Sequence, residues 1–427
     1  MQLGGHATIV PSPPIRRGAN AEITAGAGDV EGDVMGDVVV VGAGPAGLVL
    51  ARLLQQAGIP VTVFERRSRE ELTARPGAGL IEYRTVELLR AAGIADVDLD
   101  FTMRNGRMEF RTPTASTIFD YGLLTGDRPN YIYPQHLLVG ALSDALVASG
   151  VDVRFGTPVT AVRQDADGAV VTPAGGAEVA CRAVVGCEGS HSVVAAAMTG
   201  LRTSEEDLPA RIVAVIADAP PMEEHTIYGL HPRGFAGQMR RGPHQTRYYV
   251  EVPGTDTLAD WPEDRIRAEL AHRLDIHGKL DAVPFGEPTL VDLRVRVVEP
   301  MQDGRLFLAG DSAHLITAAA GKGMNLAIQD AVELAAGLVD RFGPAGDGRR
   351  LAAYSDTRLP AIWRTEAFSM WYLRVLMSGF RNGTETPGAA PGGFATGLRE
   401  GWLAALLGDP LLARWFAHAY AGVDSSP

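Results

Sequence analysis

The chain has 427 residues, of which 46% are hydrophobic and 21% charged, and its net charge is −12 at pH 7. That length exceeds one compact core, so two domains or an elaborated α/β unit are expected. The negative balance argues against nucleic acid or an acidic membrane surface as a partner. The only cysteines, Cys181 and Cys187, form neither a disulfide framework nor a zinc site, which fits a reducing cytoplasm with no metal. The longest apolar candidate, Val38 to Leu50, is interrupted by glycines and then Arg52, so no membrane span is predicted. Residues 1–36 are rich in Gly, Pro and Ala without helix or strand period, and are expected to be a disordered leader, with Met35 an alternative start.

The folded part is expected to begin with Asp37-Val-Val-Val-Val41, a continuous apolar run typical of a buried parallel strand. Gly42-Ala-Gly-Pro-Ala-Gly47 follows, then a helix with Leu50, Leu53, Leu54 and Ala57 on one face, then a strand Pro60–Phe64 ending on Glu65. A helix is predicted over 135–149, short strands within Val151–Val171, and another buried strand at Ala183–Gly186. Alternating patterns at Arg211–Ala217 and Arg247–Val252 predict a sheet, broken by a helix at Glu263–Leu274. Arg305–Asp311 returns to a buried strand, Met324–Val339 to a helix, and the chain from Leu351 reads as mostly helical, with a Gly/Pro-rich break at 382–397. The fold class is therefore α/β: a Rossmann-like GxGxxG β-α-β domain (37–204), an inserted mixed-sheet substrate domain (205–310), and a second motif with C-terminal helices (311–427).

Each glycine of the loop has a mechanical reason. Gly42 permits the tight turn, Gly44 lets the backbone approach a pyrophosphate, and Gly47 lets helix and strand pack closely. The helix N-terminus favours the phosphates, and Glu65, 23 positions after Gly42, suits ribose hydroxyls. This motif alone does not separate FAD from NAD.

Further down, Arg305-Leu-Phe-Leu-Ala-Gly-Asp-Ser-Ala-His314 with Gly321-Lys-Gly-Met-Asn325 resembles the second FAD motif of single-component flavoprotein aromatic monooxygenases. Cys187-Glu-Gly-Ser-His191 is similar to a third motif, usually Asp-Gly. Ile227-Tyr-Gly-Leu-His-Pro-Arg-Gly-Phe-Ala236, Arg247-Tyr-Tyr-Val250 and Val298-Glu-Pro-Met301 resemble the para-hydroxybenzoate hydroxylase family most specifically. The resemblance implies non-covalent FAD, NADPH or NADH as reductant, dioxygen and a small aromatic acid as substrates, and a flavin C4a-hydroperoxide as oxidant; a homodimer is left open.

Carried over position by position, the resemblance implies that Gly42, Gly44, Ala46, Gly47, Glu65, Arg75, Gln135, Asp311, Gly323, Met324 and Asn325 contact FAD, with Arg247 near the flavin. Arg66, His191 and Arg294 match nicotinamide-binding positions. Tyr228, Tyr420 and the carbonyl of Ala318 match catalytic groups, and Arg241 and Tyr249 the pair that holds the substrate carboxylate. Met239 replaces the serine of that site, and Arg104 stands where the family's proton relay ends in histidine. Gly77 replaces an arginine of the FAD loop, Glu188 an aspartate, and Ile212 and Gly237 replace bulky pocket residues, which suggests extra room. On strand alternation Arg240 is expected to face away from Arg241. Two other functions are open on the same fold: a flavoprotein dehydrogenase or oxidase that inserts no oxygen, and a non-catalytic flavin redox sensor.

Overall fold

The computed structural model describes residues 37–74, 77–94, 103–317, 319–377 and 394–423. The leader expected over 1–36, together with Arg75 and Ala318, lies outside the described residues.

Val38–Val41 is buried along its whole length between two parallel neighbours, Val61–Phe64 and Ala183–Gly186. Four consecutive valines suit a strand covered on both faces, where a branched side chain packs on either side. Leu306–Leu308 and Asp152–Arg154 extend the sheet in parallel, and Gln302–Asp303 closes one edge antiparallel. The helix Pro45–Gln56 packs against two others, Gln135–Ala148 and Lys322–Phe342. The residues that follow Val38–Val41, Val61–Phe64, Ala183–Gly186 and Leu306–Leu308 thus lie together at the carboxyl ends of these parallel strands, where open α/β sheets bind ligands.

The second sheet has eight strands in the order His314–Leu315, Thr289–Glu299, Arg202–Ala217, Gln245–Pro253, Gly234–Gly242, Thr226–His231, Arg107–Arg111, Ser116–Asp120. Its two faces pack against different helices. Val213, Val215, Ile227 and Tyr248 pack with Ile266 and Leu270 of the helix Glu263–Leu274. Ile212, Ala214, Tyr228 and Phe235 pack with Tyr372, Phe416 and Tyr420 of the C-terminal helices Tyr354–Leu376 and Pro410–Ala421.

This sheet does not respect the expected boundary of 205–310. Arg107–Arg111 pairs in parallel with Thr226–His231, and Ser116–Asp120 pairs with Arg107–Arg111, so residues of the first segment form its edge. A parallel pair needs a long crossover, so its two strands were bound to be remote in sequence. The architecture is α/β, with a Rossmann-like region, an inserted mixed sheet and C-terminal helices.

Candidate active site

One cavity of about 640 Å³ runs from the first glycine loop to the face of the eight-stranded sheet that carries Tyr228. At its first end, a Cβ on Gly42 would lie 2.5 Å from the Cys187 carbonyl oxygen, at a φ of +103°. A Cβ on Gly47 would lie 2.0 Å from the Gly42 carbonyl oxygen. The loop is therefore closed tightly on itself and on Cys187, while Gly44, Pro45 and Ala46 border the cavity. The helix Pro45–Gln56 has no side-chain cap and no acidic residue in its first turn, so its leading N–H groups are left to a ligand.

Glu65 is buried, and both carboxylate oxygens accept backbone N–H groups, from Ala43 at 2.9 Å and Arg67 at 3.0 Å. A carboxylate has about four acceptor positions, which leaves capacity for ribose hydroxyls at the cavity wall. A second uncapped helix start lies across the cavity at Gly321–Lys322, where Gly321 has a φ of +64° and nothing stands within 4 Å of a Cβ on Gly323. Asp311 borders the same cavity and is exposed. Two uncapped helix N-termini, a glycine-rich loop and acidic groups along one cavity fit a dinucleotide such as FAD.

At the other end Arg241 is 3% exposed. Its Nη1 donates to the Gly77 carbonyl at 2.7 Å, and Arg247 Nη1 donates to the same oxygen at 3.0 Å. Arg241 Nε and Nη2 are buried without a partner among the described residues. Those two N–H groups share one edge of the guanidinium, the edge that takes a carboxylate through two parallel hydrogen bonds. Burial first, then the neighbouring charge of Arg247, brings Arg241 down to about 10, still cationic at neutral pH. Tyr249 and Met239 border the same space, and Arg247 lies 5.5 Å over the Tyr249 ring.

The hydroxyls of Tyr228 and Tyr420 are 2.9 Å apart, and each residue is 1% exposed. Burial raises both phenols well above their usual value of 10, so the pair is neutral at rest. Tyr372 and Tyr121, which sequence reasoning missed, pack edge-on against this pair. Lys322 was also missed. Its ammonium donates to Glu82 at 2.5 Å and to the carbonyls of Ala419 and Tyr420 at 2.7 and 2.9 Å, fixing the helix end that carries Tyr420. A lysine inside a glycine-rich helix start, where the dipole disfavours a cation, was the available signal.

Several expected residues are placed otherwise. Arg294 does not border the cavity; it is ion-paired with Asp207 and Glu205 on the sheet surface. Asn325 is buried with its side chain bonded to Leu80, Glu82 and Gly321, so it staples loops together. Arg240 borders the same cavity as Arg241, because a register shift between Arg240 and Gly242 breaks the alternation. The room expected at Gly237 is filled, since the Phe235 ring comes within 3.0 Å of a Cβ there. Arg104 is paired with the exposed Asp127 beside a second cavity. Glu188 accepts from Ser192, Val194 and Ser312, and burial raises its carboxyl. A Cβ on Gly77 would meet Gln135 Oε1 at 2.4 Å, so the Gln135 side chain would have to move aside. Gln135, Met324, Arg66 and His191 all border the cavity, the last two exposed at its rim.

Residues 35–369 match the model of the FAD binding domain family. The chain is 32% identical over 346 residues to p-hydroxybenzoate hydroxylase of Acinetobacter baylyi, covering 79% of this chain and 85% of that protein. It is also 32% identical over 320 residues to the 12-dehydrotetracycline 5-monooxygenase/anhydrotetracycline 6-monooxygenase of Streptomyces rimosus, covering 70% of this chain and 61% of that longer protein. Among solved structures, aklavinone-11 hydroxylase with FAD and aklavinone superposes with a TM-score of 0.72 at 25% identity, over 84% of this chain and 72% of that one. With the FAD cradle on one side of the cavity and these matches along the fold, the chain belongs to the FAD binding domain family and is related to its single-component flavin aromatic monooxygenases.

Proposed function

We propose that the protein is an NAD(P)H-dependent hydroxylase of a small aromatic acid of the hydroxybenzoate or amino-hydroxybenzoate type. The observation that carries this reading is the edge of Arg241, buried and unpartnered among the described residues, in the cavity that begins at the dinucleotide cradle and also contains Tyr228. A buried guanidinium edge without an acceptor is costly, and a substrate carboxylate removes that cost while fixing the ring's orientation.

Bound FAD, reduced by the nicotinamide, supplies the oxygen activation; the orienting and proton handling belong to the chain. Arg241 holds the acid, with Tyr249 and Met239 bordering the same end. The Tyr228 hydroxyl, backed by Tyr420, is the group suited to a phenol on the ring. Because both tyrosines stay neutral, Tyr228 stabilises a phenolate by donating to it while accepting from Tyr420, which makes the ring electron-rich ortho to that oxygen. Burial of the pair excludes water. Arg66 and His191, exposed at the rim, suit the nicotinamide's phosphates. The overall change balances as aromatic acid, dioxygen, NAD(P)H and one proton giving hydroxylated acid, NAD(P)+ and water.

The test is a panel of substituted benzoates and their neutral amides, scored by NADPH and NADH oxidation together with product mass. Acids should stimulate oxidation and gain one oxygen atom, and the amides should do neither. Equal turnover of acids and amides would remove the carboxylate reading.

A further inference from the structure

Among the described residues, four buried side-chain nitrogens bordering this one cavity lack partners: Arg241 Nε and Nη2, Arg247 Nε, and the Nδ1 of His136. His136 is the second residue of the helix Gln135–Ala148, which begins with no side-chain cap and no acidic residue in its first turn. The potential at that helix start favours an anion. The segment 77–79 ties the helix start to Arg241. Gln135 exchanges hydrogen bonds with Ala78, through its backbone N–H at 2.8 Å and its side-chain oxygen at 3.1 Å, while the Gly77 carbonyl anchors Arg241. A Cβ on Gly79 would stand 3.8 Å from Pro134 Cα and 4.0 Å from Arg241 Nη1, so helix start and guanidinium flank one glycine. Burial, and then the charge of Arg241, lowers the basicity of His136, so its imidazole is neutral at pH 7.

We propose that His136 is a substrate-binding residue whose Nδ1–H donates to the carboxylate held by Arg241, in place of the hydroxyl that Met239 lacks. The proposal rests on the carboxylate reading of Arg241. The guanidinium edge occupies two of the carboxylate's roughly four acceptor positions, leaving one for the imidazole. This third donor selects acids over neutral aromatics of the same shape.

Benzoate, 4-hydroxybenzoate and 3-amino-4-hydroxybenzoate are the probes, titrated into the FAD-loaded full chain and followed by flavin absorbance. For the acid that binds best, His136→Leu should raise Kd about 10-fold or more, as expected for loss of a hydrogen bond to a charged group. His136→Asn, which keeps an N–H at the Nδ1 position, should stay within about threefold of the native protein. Both variants should keep native FAD content. If His136→Leu binds normally while Arg241→Ala is weakened, the carboxylate site stands and His136 has no part in it. An Asn variant as weak as the Leu variant overturns the hydrogen bond, and loss of FAD from His136→Leu assigns the residue to the cofactor instead. If Arg241→Ala binds as tightly as the native protein, or the native protein binds none of the three acids, the carboxylate reading falls as well.

Discussion

The two ends of the cavity are built in opposite ways. At the first, the backbone supplies the groups that meet a ligand, and the conserving device is the absence of side chains at Gly42, Gly44 and Gly47. Glu65, the acidic group there, is already braced by two backbone N–H groups. At the second end, side chains do the work, and they are left unmatched: Arg241 presents two buried donors without acceptors among the described residues. A backbone cradle recognises a pyrophosphate whatever the rest of the ligand is, whereas an unmatched buried guanidinium is specific for the anion that completes it. The contrast predicts that the two ends fail separately.

Arg241→Ala should cost about 2–5 kcal/mol of acid binding, tens- to thousands-fold in Kd, because it removes one partner of a desolvated charge pair. FAD content should stay near native, measured by absorbance after gel filtration. Arg241→Lys should recover part of the loss, since an ammonium cannot reproduce the planar edge. If Arg241→Ala emptied the cofactor site instead, the two ends would be one.

On the helix Tyr354–Leu376, which packs on Lys322–Phe342, the contrast is less clean. Glu366 is 5% exposed, neither of its oxygens has a partner among the described residues, and burial raises its carboxyl to about 7. The folded state therefore keeps a proton that the unfolded chain loses near 4.5, so stability falls as pH rises from 4.5 through 7. The cost reaches up to about 3 kcal/mol above that window. Glu366→Gln should flatten the dependence of the urea midpoint between pH 5 and 8; an unchanged slope would show that Glu366 is ionised or solvated in the folded protein.

Gly47→Ala probes the first end. The new methyl cannot fit 2.0 Å from the Gly42 carbonyl, so helix and strand must separate, at about 1–3 kcal/mol. FAD content should drop while the far end of the large sheet keeps its fold by circular dichroism. Full retention of FAD would mean that the loop has more freedom than its geometry implies.

The same contrast explains what was legible in the sequence. The first end is local: strand, glycine loop, helix, strand and acid occur within Val38–Glu65, and periodicity and spacing report them directly. The helix Glu263–Leu274 was read to the residue for the same reason. The second end is non-local. Arg241 is held by Gly77, Tyr228 by Tyr420, and Tyr420 by Lys322, pairs whose members are far apart in the chain and carry no period. The resemblance placed Arg241, Tyr228 and Tyr420 at this site, yet it did not supply His136, Tyr372 or the Gly77 carbonyl, which only packing brings there. Arg240 was misplaced because a one-residue register shift is invisible to strict alternation.

The central claim is that one atom of dioxygen enters an aromatic acid held by Arg241 beside the flavin. Turnover under oxygen-18 gas, with the best acid of the panel and its preferred nicotinamide, tests it most directly by product mass. The account predicts one labelled oxygen in the product and an aromatic ring otherwise unchanged. Product that carries no label, or that has lost hydrogen without gaining oxygen, would contradict it and make the protein a dehydrogenase or oxidase on this fold.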